Sequence, residues 1–407
     1  MIAQDLIDVH TIVTAAAPRG YSRTDVLPID WKTSVIGLTG GRGVGKTTLL
    51  LQKYWELFGS HERCLYLSAD NVHVAALGIY ALGREHFKSG GEAIIIDEAH
   101  RAANWSAEIK SLIDSSPNKT IWISGSSSAA LAKGGADLSR RVVWYDMPGL
   151  SFREYLILTG RTDVPTITFE ELARDHVAIA RDLTTRDSLL GAFRNYLRHG
   201  YYPFFLQGLN TYHQRIQGII DKVVSEDLPS MFAISPAKVT TLKKILWAIA
   251  SSDPFQLNVE GLSRHLGIAK TSTYHFLECL EHGRMLQTVS AYGTGLKSVR
   301  KPEKVYLDNT SLLAAITTPH RVEPSIGTVR ETYICSTLRP RHSIKSLGNV
   351  DFLIDNRWAI EVGGPGKGAQ QLAKASSTKK VEHLLAIDGI EAGSGNRVPL
   401  HLFGLLR

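Results

Sequence analysis

Gly40 to Thr48, GGRGVGKTT, is the stretch whose residue types and spacing most clearly specify chemistry. It fits GxxxxGK[ST], where a glycine-rich turn lets successive backbone N–H groups point at phosphate oxygens. Gly40, Gly41, Arg42, Gly43, Val44 and Gly45 would form that cradle, completed by Lys46, Thr47 and Thr48. Lys46 would place a point charge on the β- and γ-phosphates, and the Thr47 hydroxyl could hold Mg²⁺. A second motif, Asp97-Glu98, ends the apolar run Ala93-Ile94-Ile95-Ile96. Asp97 at the end of a buried strand can hold Mg²⁺ through water, and Glu98 can polarise the attacking water as a general base. The adjacent acids imply hydrolysis of a bound triphosphate, with ATP and Mg²⁺ as the expected ligands.

Two further residues are placed to assist. Ser124 ends the run Thr120-Ile121-Trp122-Ile123 and could orient water near the γ-phosphate, with Ser126 as second choice. The plainer alternative is a serine-rich turn. Arg141 precedes another apolar run and could act as an arginine finger, in cis or across a subunit interface. Its plainer alternative is an ordinary surface arginine.

These groups need a scaffold. An opening helix is expected over Asp5–Thr14. Strands are expected at Val35–Thr39, Cys64–Ser68, Ala93–Asp97, Thr120–Ser124 and Val142–Asp146, alternating with helices. That alternation predicts an α/β fold with a parallel sheet covered on both faces, and the phosphate loop at its carboxyl ends. At 407 residues the chain should hold about two to four domains. No apolar run is long enough to span a membrane, and the acidic N-terminus lacks the basic start of a secretory signal. Cys64, Cys279 and Cys335 are scattered, which fits buried thiols in a reducing, cytoplasmic setting.

Four stretches, GGRGVGKTTLL, IIIDEAHRA, WISGSSSAAL and LSRRVVWYDMPGLSFREYL, together resemble the predicted prokaryotic ATPases of the AAA+-like, archaeal-ATPase type. The resemblance implies a P-loop ATPase domain over residues 1–160 and places Arg141 on the family's arginine. Arg140 stands where Gly is usual, and Gly149 lies between Pro148 and Leu150. Tyr196-Leu197-Arg198-His199-Gly200-Tyr201-Tyr202-Pro203 is similar to a further family segment and implies a helical lid over 161–230. Arg194 or Arg198 could touch phosphate from it, although solvated helix faces are the plainer use.

Residues 231–318 read as a winged helix. Thr241–Ala250 is one helix. Asn258 can cap a second, Val259–Leu266, which stops at Gly267, and Thr271 can cap a third, Ser272–His282. Strands at Met285–Val289 and Lys304–Leu307 then flank a basic loop. Residues 232–307 hold 10 Lys+Arg against 5 Asp+Glu, so they carry most of the chain's +7. In a DNA-binding reading, Lys270, Thr271, Ser272, Thr273 and His275 face the groove, and Lys297, Arg300 and Lys301 face phosphates. The alternative is a protein-interaction module with solvating charge.

In residues 319–407, a helix over Thr328–Leu338 carries Glu331, and a hairpin follows at Val350–Asp355 and Trp358–Gly363. Asp351 and Glu361 can meet across it as paired carboxylates fit for Mg²⁺. This resembles the PD-(D/E)xK nuclease core and implies a small α/β nuclease-like domain. Gly363 stands where that core has its lysine; Lys367 could substitute, and Gln370 and Gln371 could position a substrate strand. An inactive structural domain and an active nuclease both remain open. The overall expectation is a Mg²⁺-dependent ATPase that binds DNA and couples nucleotide state to domain rearrangement or assembly, with a homo-oligomer as a possible form. The alternatives are a nucleotide switch acting on protein partners and a nuclease controlled by the ATPase.

Overall fold

The computed structural model describes residues 2–23, 27–125, 138–185, 188–253, 258–293, 302–348, 350–368 and 381–406. Ser126, Lys297, Arg300, Lys301, Gln370 and Gln371 lie outside the described residues. The chain divides into two compact units, Met1–Gly149 and Leu150–Arg407.

In the first unit, α1 (Gln4–Ala15) is followed by β1 (Val35–Thr39), α2 (Lys46–Leu57), β2 (Cys64–Ser68), α3 (Val72–Leu77) and α4 (Ile79–Lys88). Then come β3 (Ala93–Asp97), α5 (Trp105–Ser115), β4 (Thr120–Ser124) and β5 (Val143–Asp146). The strands form one sheet in the order β2-β3-β4-β1-β5, and every pairing is parallel. All five residues of β1 and of β3 are buried. A parallel strand covered on both faces reads as a continuous apolar run, which explains Ala93-Ile94-Ile95-Ile96. Leu65, Leu67, Ile94, Ile96, Ile121 and Ile123 share one face and pack with Leu82, Ile109 and Leu112. On the other face Trp122 packs against Trp31 and Phe58, with ring centroids 5.0 and 5.7 Å away.

The second unit starts with helices: α6 (Phe152–Leu158), α7 (Phe169–Thr184), α8 (Leu189–His199), α9 (Tyr212–Lys222), α10 (Leu228–Phe232) and α11 (Pro236–Ala250). Ser151 and Glu154 close a capping box on α6, so the Ser-Phe-Arg-Glu stretch has a defined structural role. Next come α12 (Val259–Leu266), α13 (Lys270–His282), β6 (Leu286–Ala291), β7 (Lys304–Leu307), α14 (Thr310–Thr317) and α15 (Ile326–Leu338). Strands β8 (Ile344–Leu347), β9 (Val350–Ile354), β10 (Trp358–Gly363), β11 (Glu382–Ile387) and β12 (Arg397–Pro399) complete the unit.

Helices α12 and α13 meet at Gly267, which takes φ 64° as the left-handed cap of α12. Asn258 caps α12 as expected, through Gly261 N–H. The α13 cap differs: Thr271 lies within the helix, whose N-cap is Ala269.

The hairpin β6–β7 is antiparallel, as a wing requires. It does not end its own domain, however. Strand β6 continues to Ala291 and pairs in parallel with β8, making one seven-stranded sheet in the order β12-β11-β10-β9-β8-β6-β7. The expected border at 318/319 therefore falls inside a structure joined by backbone hydrogen bonds. The three cysteines are buried thiols. No described helix is long and apolar enough to cross a membrane.

Candidate functional site

Parallel strand order brings the carboxyl ends of β1, β3 and β4 together, and the sequence motifs converge there. The loop from Gly40 to Gly45 links β1 to α2. Gly40 has φ 137°, and a Cβ there would stand 2.3 Å from the Met147 carbonyl oxygen, so only glycine allows this approach. Lys46, buried in the first turn of α2, donates to the Gly40 and Gly41 carbonyls at 3.0 and 2.8 Å. Burial pulls its pKa down to about 8, against the opposing pull of Glu98 and Asp97. Such a lysine is poised to gain from an anion.

Asp97 is the hub. Thr47 Oγ1 donates to its two oxygens at 3.1 and 2.9 Å, and Tyr66 OH donates at 2.9 Å. The Ser124 hydroxyl also bonds Asp97, and it accepts the Glu98 N–H at 3.4 Å. Burial raises the Asp97 pKa, with Glu98 adding to the rise and the hydroxyl donors opposing it. A buried carboxylate beside a threonine hydroxyl is a hard-oxygen donor set that fits Mg²⁺, with phosphate and water supplying the other ligands. Among the described residues no cluster of three or more His, Cys, Asp or Glu could hold a metal by itself.

Glu98 takes the left-handed conformation, φ 51° and ψ 38°. A non-glycine residue is strained there, and such a conformation persists only where the surrounding structure holds it. Arg42 Nη1 stands 3.8 Å and His100 Nε2 3.6 Å from Glu98 Oε2, ion-pair distances longer than a hydrogen bond.

Two expectations need correction. Ser124 is fully buried and bonded to Asp97, so in this arrangement it orients the carboxylate rather than an attacking water. Arg141 forms a two-point ion pair with Asp114 at 2.8 and 3.1 Å. It precedes Val143, which pairs with Ile36 early in β1, whereas the phosphate loop follows Thr39. The offset of six residues is about 20 Å along the strands. That distance is beyond the reach of one arginine, so in this arrangement Arg141 lies away from the phosphate loop of its own unit.

Two contributors were not expected. Tyr66 sits opposite Ile95 on β2, diagonal to Asp97, within the reach of a long side chain. Arg23 is buried and donates to the carbonyls of Val44, Pro148 and Gly149 at 3.0, 2.9 and 2.8 Å. It ties the phosphate loop to the segment after β5. With Asp97 as a Mg²⁺ ligand, the Tyr66→Phe substitution would raise the Mg²⁺ concentration for half-maximal turnover about tenfold, the cost of losing a supporting hydrogen bond to such a ligand. A Mg²⁺ titration of ATPase rate checks this, with unchanged thermal unfolding as the control for fold.

In the second unit, the pair α12 and α13 presents only part of the expected surface. Lys270, Thr271 and His275 are exposed and Ser272 is half-buried. Lys270 pairs with Glu260. Thr273 is fully buried, bonded to Ser263 Oγ at 2.8 Å, so it cannot face a groove. The helix turns this position inward to pack α13 on α12.

Asp351 and Glu361 do meet: Asp351 N–H donates to Glu361 Oε2 at 3.2 Å, and Val362 N–H to Asp351 Oδ2 at 2.9 Å. Two lysines balance the cluster. Lys367 Nζ lies 2.6 Å from Glu361 Oε1. A Cβ on Gly363 would stand 2.6–2.9 Å from the Lys367 stem, so the glycine lets Lys367 fold back. Lys304, buried on β7, lies 3.3 Å from Glu331 and 3.2 Å from Asp351, and Tyr306 OH also bonds Glu331. Burial pulls Lys304 down, but the two acids outweigh it and hold its pKa up. Burial raises Glu331, with Asp351 adding to the rise. Replacing Lys304 with Met strands two acids and should cost about 3–5 kcal/mol in urea unfolding at pH 7. A raised carboxyl pKa favours folding at acid pH, so the loss should shrink as pH falls through the Glu331 pKa.

Residues 32–156 match the family model described as an AAA domain, and residues 190–321 match a domain of unknown function, DUF8612. The chain is 27% identical over 288 residues to an uncharacterized protein of Methanocaldococcus jannaschii, covering 67% of this chain. It spans 60% of that relative's length. Similar solved structures include the Walker-type ATPase of Pyrococcus abyssi, at 13% identity and TM-score 0.37, covering 70% of this chain and 91% of that one. The ORC1 protein of Aeropyrum pernix in complex with DNA is also similar, at 13% identity and TM-score 0.31, covering 77% and 92%. Residues 32–156, which hold the parallel sheet and its phosphate loop, are thus similar to an ATPase-type AAA domain.

Proposed function

We propose that this chain is a Mg²⁺-dependent ATPase whose second unit binds DNA through α12 and α13. The observation that carries the ATPase reading is the junction of Thr47 with Asp97 beside Lys46 and Glu98. Bound Mg²⁺ would neutralise charge on the phosphates, with Thr47 and Asp97 as its protein ligands. The chain's own residues do the rest. Lys46 exchanges the Gly40 and Gly41 carbonyls for phosphate oxygens. Tyr66 and Ser124 hold Asp97 ionised and oriented. Glu98, set by Arg42 and His100, accepts the proton of the attacking water. Arg141 fits only a neighbouring copy's nucleotide, which would make a homo-oligomer the active form.

The DNA reading rests on the local charge of residues 232–307 and the exposed start of α13. Its test is DNA affinity against salt. Affinity should fall steeply as salt rises, and Lys270→Ala should lessen that log–log slope by about one. Affinity indifferent to both would remove the claim.

The Lys367–Glu361 contact across Gly363 favours one second reading, a metal-dependent nuclease site in which Lys367 supplies the missing cation. DNA cleavage that needs Mg²⁺ and is lost in Glu361→Ala would support it. Pure protein that never cleaves would end it, leaving the lysine-balanced cluster as a structural ion network.

A further inference from the structure

We propose that the second unit holds a separate binding site for a small phosphate-bearing molecule with an apolar body. A cavity of about 830 Å³ lies among α8, α14, the start of α15 and the loop after β11. That is within the size range of cofactor and ligand pockets. Its apolar walls are aliphatic, formed by Leu190, Leu197, Leu313, Val322, Ile326 and Val329, and among the described residues no aromatic ring lines it.

Four guanidinium groups border these walls: Arg194, Arg198, Arg321 and Arg330. Two of them are neutralised from within the cavity lining. Arg198 pairs with Glu323 at 3.1 Å, and Arg330 with Asp388 at 2.9 Å. Arg194 and Arg321 are exposed and have no acidic partner among the described residues. The cavity thus presents two positive charges beyond those it balances. Arginine is the residue suited to a phosphate, because its planar fork binds two oxygens at once.

The backbone supports this use of Arg321. It sits at φ 55°, a conformation that glycine adopts without strain. The chain instead places a guanidinium there, at the cavity edge. A dianionic head on Arg194 and Arg321 with an aliphatic or sugar body against the leucine and valine walls satisfies both features. Two sources share that chemistry, an alkyl or prenyl phosphate and a nucleotide. The inference does not depend on the ATPase reading of the first unit.

The test is equilibrium binding by calorimetry to the full chain carrying Lys46→Met, which silences the phosphate loop. The probes are octyl phosphate, kept below its micelle concentration, and ADP. Saturable binding of either probe is expected, with Kd raised tenfold or more when Arg194→Ala and Arg321→Ala are added. Both arginines are exposed, so the fold should persist, and a thermal melt checks it. Arginine-dependent binding of octyl phosphate alone identifies an aliphatic source, and arginine-dependent binding of ADP identifies a nucleotide. Binding of neither probe, or binding unchanged by loss of the two arginines, overturns the proposal.

Discussion

Glu98→Gln is expected to lower ATP turnover about 10²- to 10⁴-fold, the range that a positioned general base contributes, while nucleotide affinity changes little. Glutamine keeps the length and hydrogen-bonding shape of the side chain but cannot take a proton at neutral pH. The substitution also leaves the phosphate contacts intact, since Lys46, Thr47 and the loop from Gly40 to Gly45 are untouched. Rate and affinity should therefore separate: single-turnover hydrolysis collapses, and equilibrium binding of ATP persists. Turnover that continues undiminished would remove Glu98 from the catalytic role. Loss of both rate and binding would point instead to disruption of the strained turn at φ 51°.

Lys46→Met should produce the other large effect. Truncating one partner of a buried, hydrogen-bonded charge pair costs about 2–5 kcal/mol, or roughly 30- to 5,000-fold in ATP affinity. The wild-type protein adds a pH signature. Lys46 titrates at about 8 in the nucleotide-free protein, below its ordinary 10.5. Phosphate stabilises the charged ammonium, so affinity should hold below about pH 8 and then fall by up to tenfold per pH unit above it. The sign for folding is opposite. The unfolded chain binds the extra proton between about 8 and 10.5, so nucleotide-free protein should gain stability as pH rises through that window. Fluorescent-nucleotide titrations across this range check the first effect and thermal melts the second. Lys46→Met should abolish both trends.

The sheet was legible because buried parallel strands leave a local mark. Strands β1 to β4 run over the expected residues, Val35–Thr39, Cys64–Ser68, Ala93–Asp97 and Thr120–Ser124. Each is a short apolar run bounded by turn residues, and such a run needs no distant partner to be recognised. Lys46, Thr47, Asp97 and Glu98 were legible for a related reason, since motif and strand end occur together. What escaped was set by contacts across the chain. Tyr66 reads as one more strand residue until β2 lies beside β3, when its hydroxyl meets Asp97. Arg23 has no local signal at all, because its three carbonyl partners come from Val44, Pro148 and Gly149.

The same limit governs the misplacements. Thr273 follows Lys270, Thr271 and Ser272 in a polar run, and only the packing of α13 on α12 decides which of them turns inward. Lys304 belongs to the expected wing strand, yet its charge serves Glu331 and Asp351 because β6 runs on into the C-terminal sheet. Arg141 was placed by its position before β5, and that position is at the amino ends of the strands, opposite the end that carries the phosphate loop. Conversely, Lys367 reached Glu361 as the glycine-rich segment allowed, since Gly363 leaves room for its stem.

The measurement that bears most directly on the central claim is steady-state phosphate release from ATP by the purified full chain, in Mg²⁺ and in excess EDTA. The Thr47–Asp97 junction predicts turnover in Mg²⁺ that falls to background in EDTA and returns when Mg²⁺ is restored. Turnover of equal rate in both, or none in Mg²⁺ at any ATP concentration, would contradict the reading of this site as a Mg²⁺-dependent ATPase.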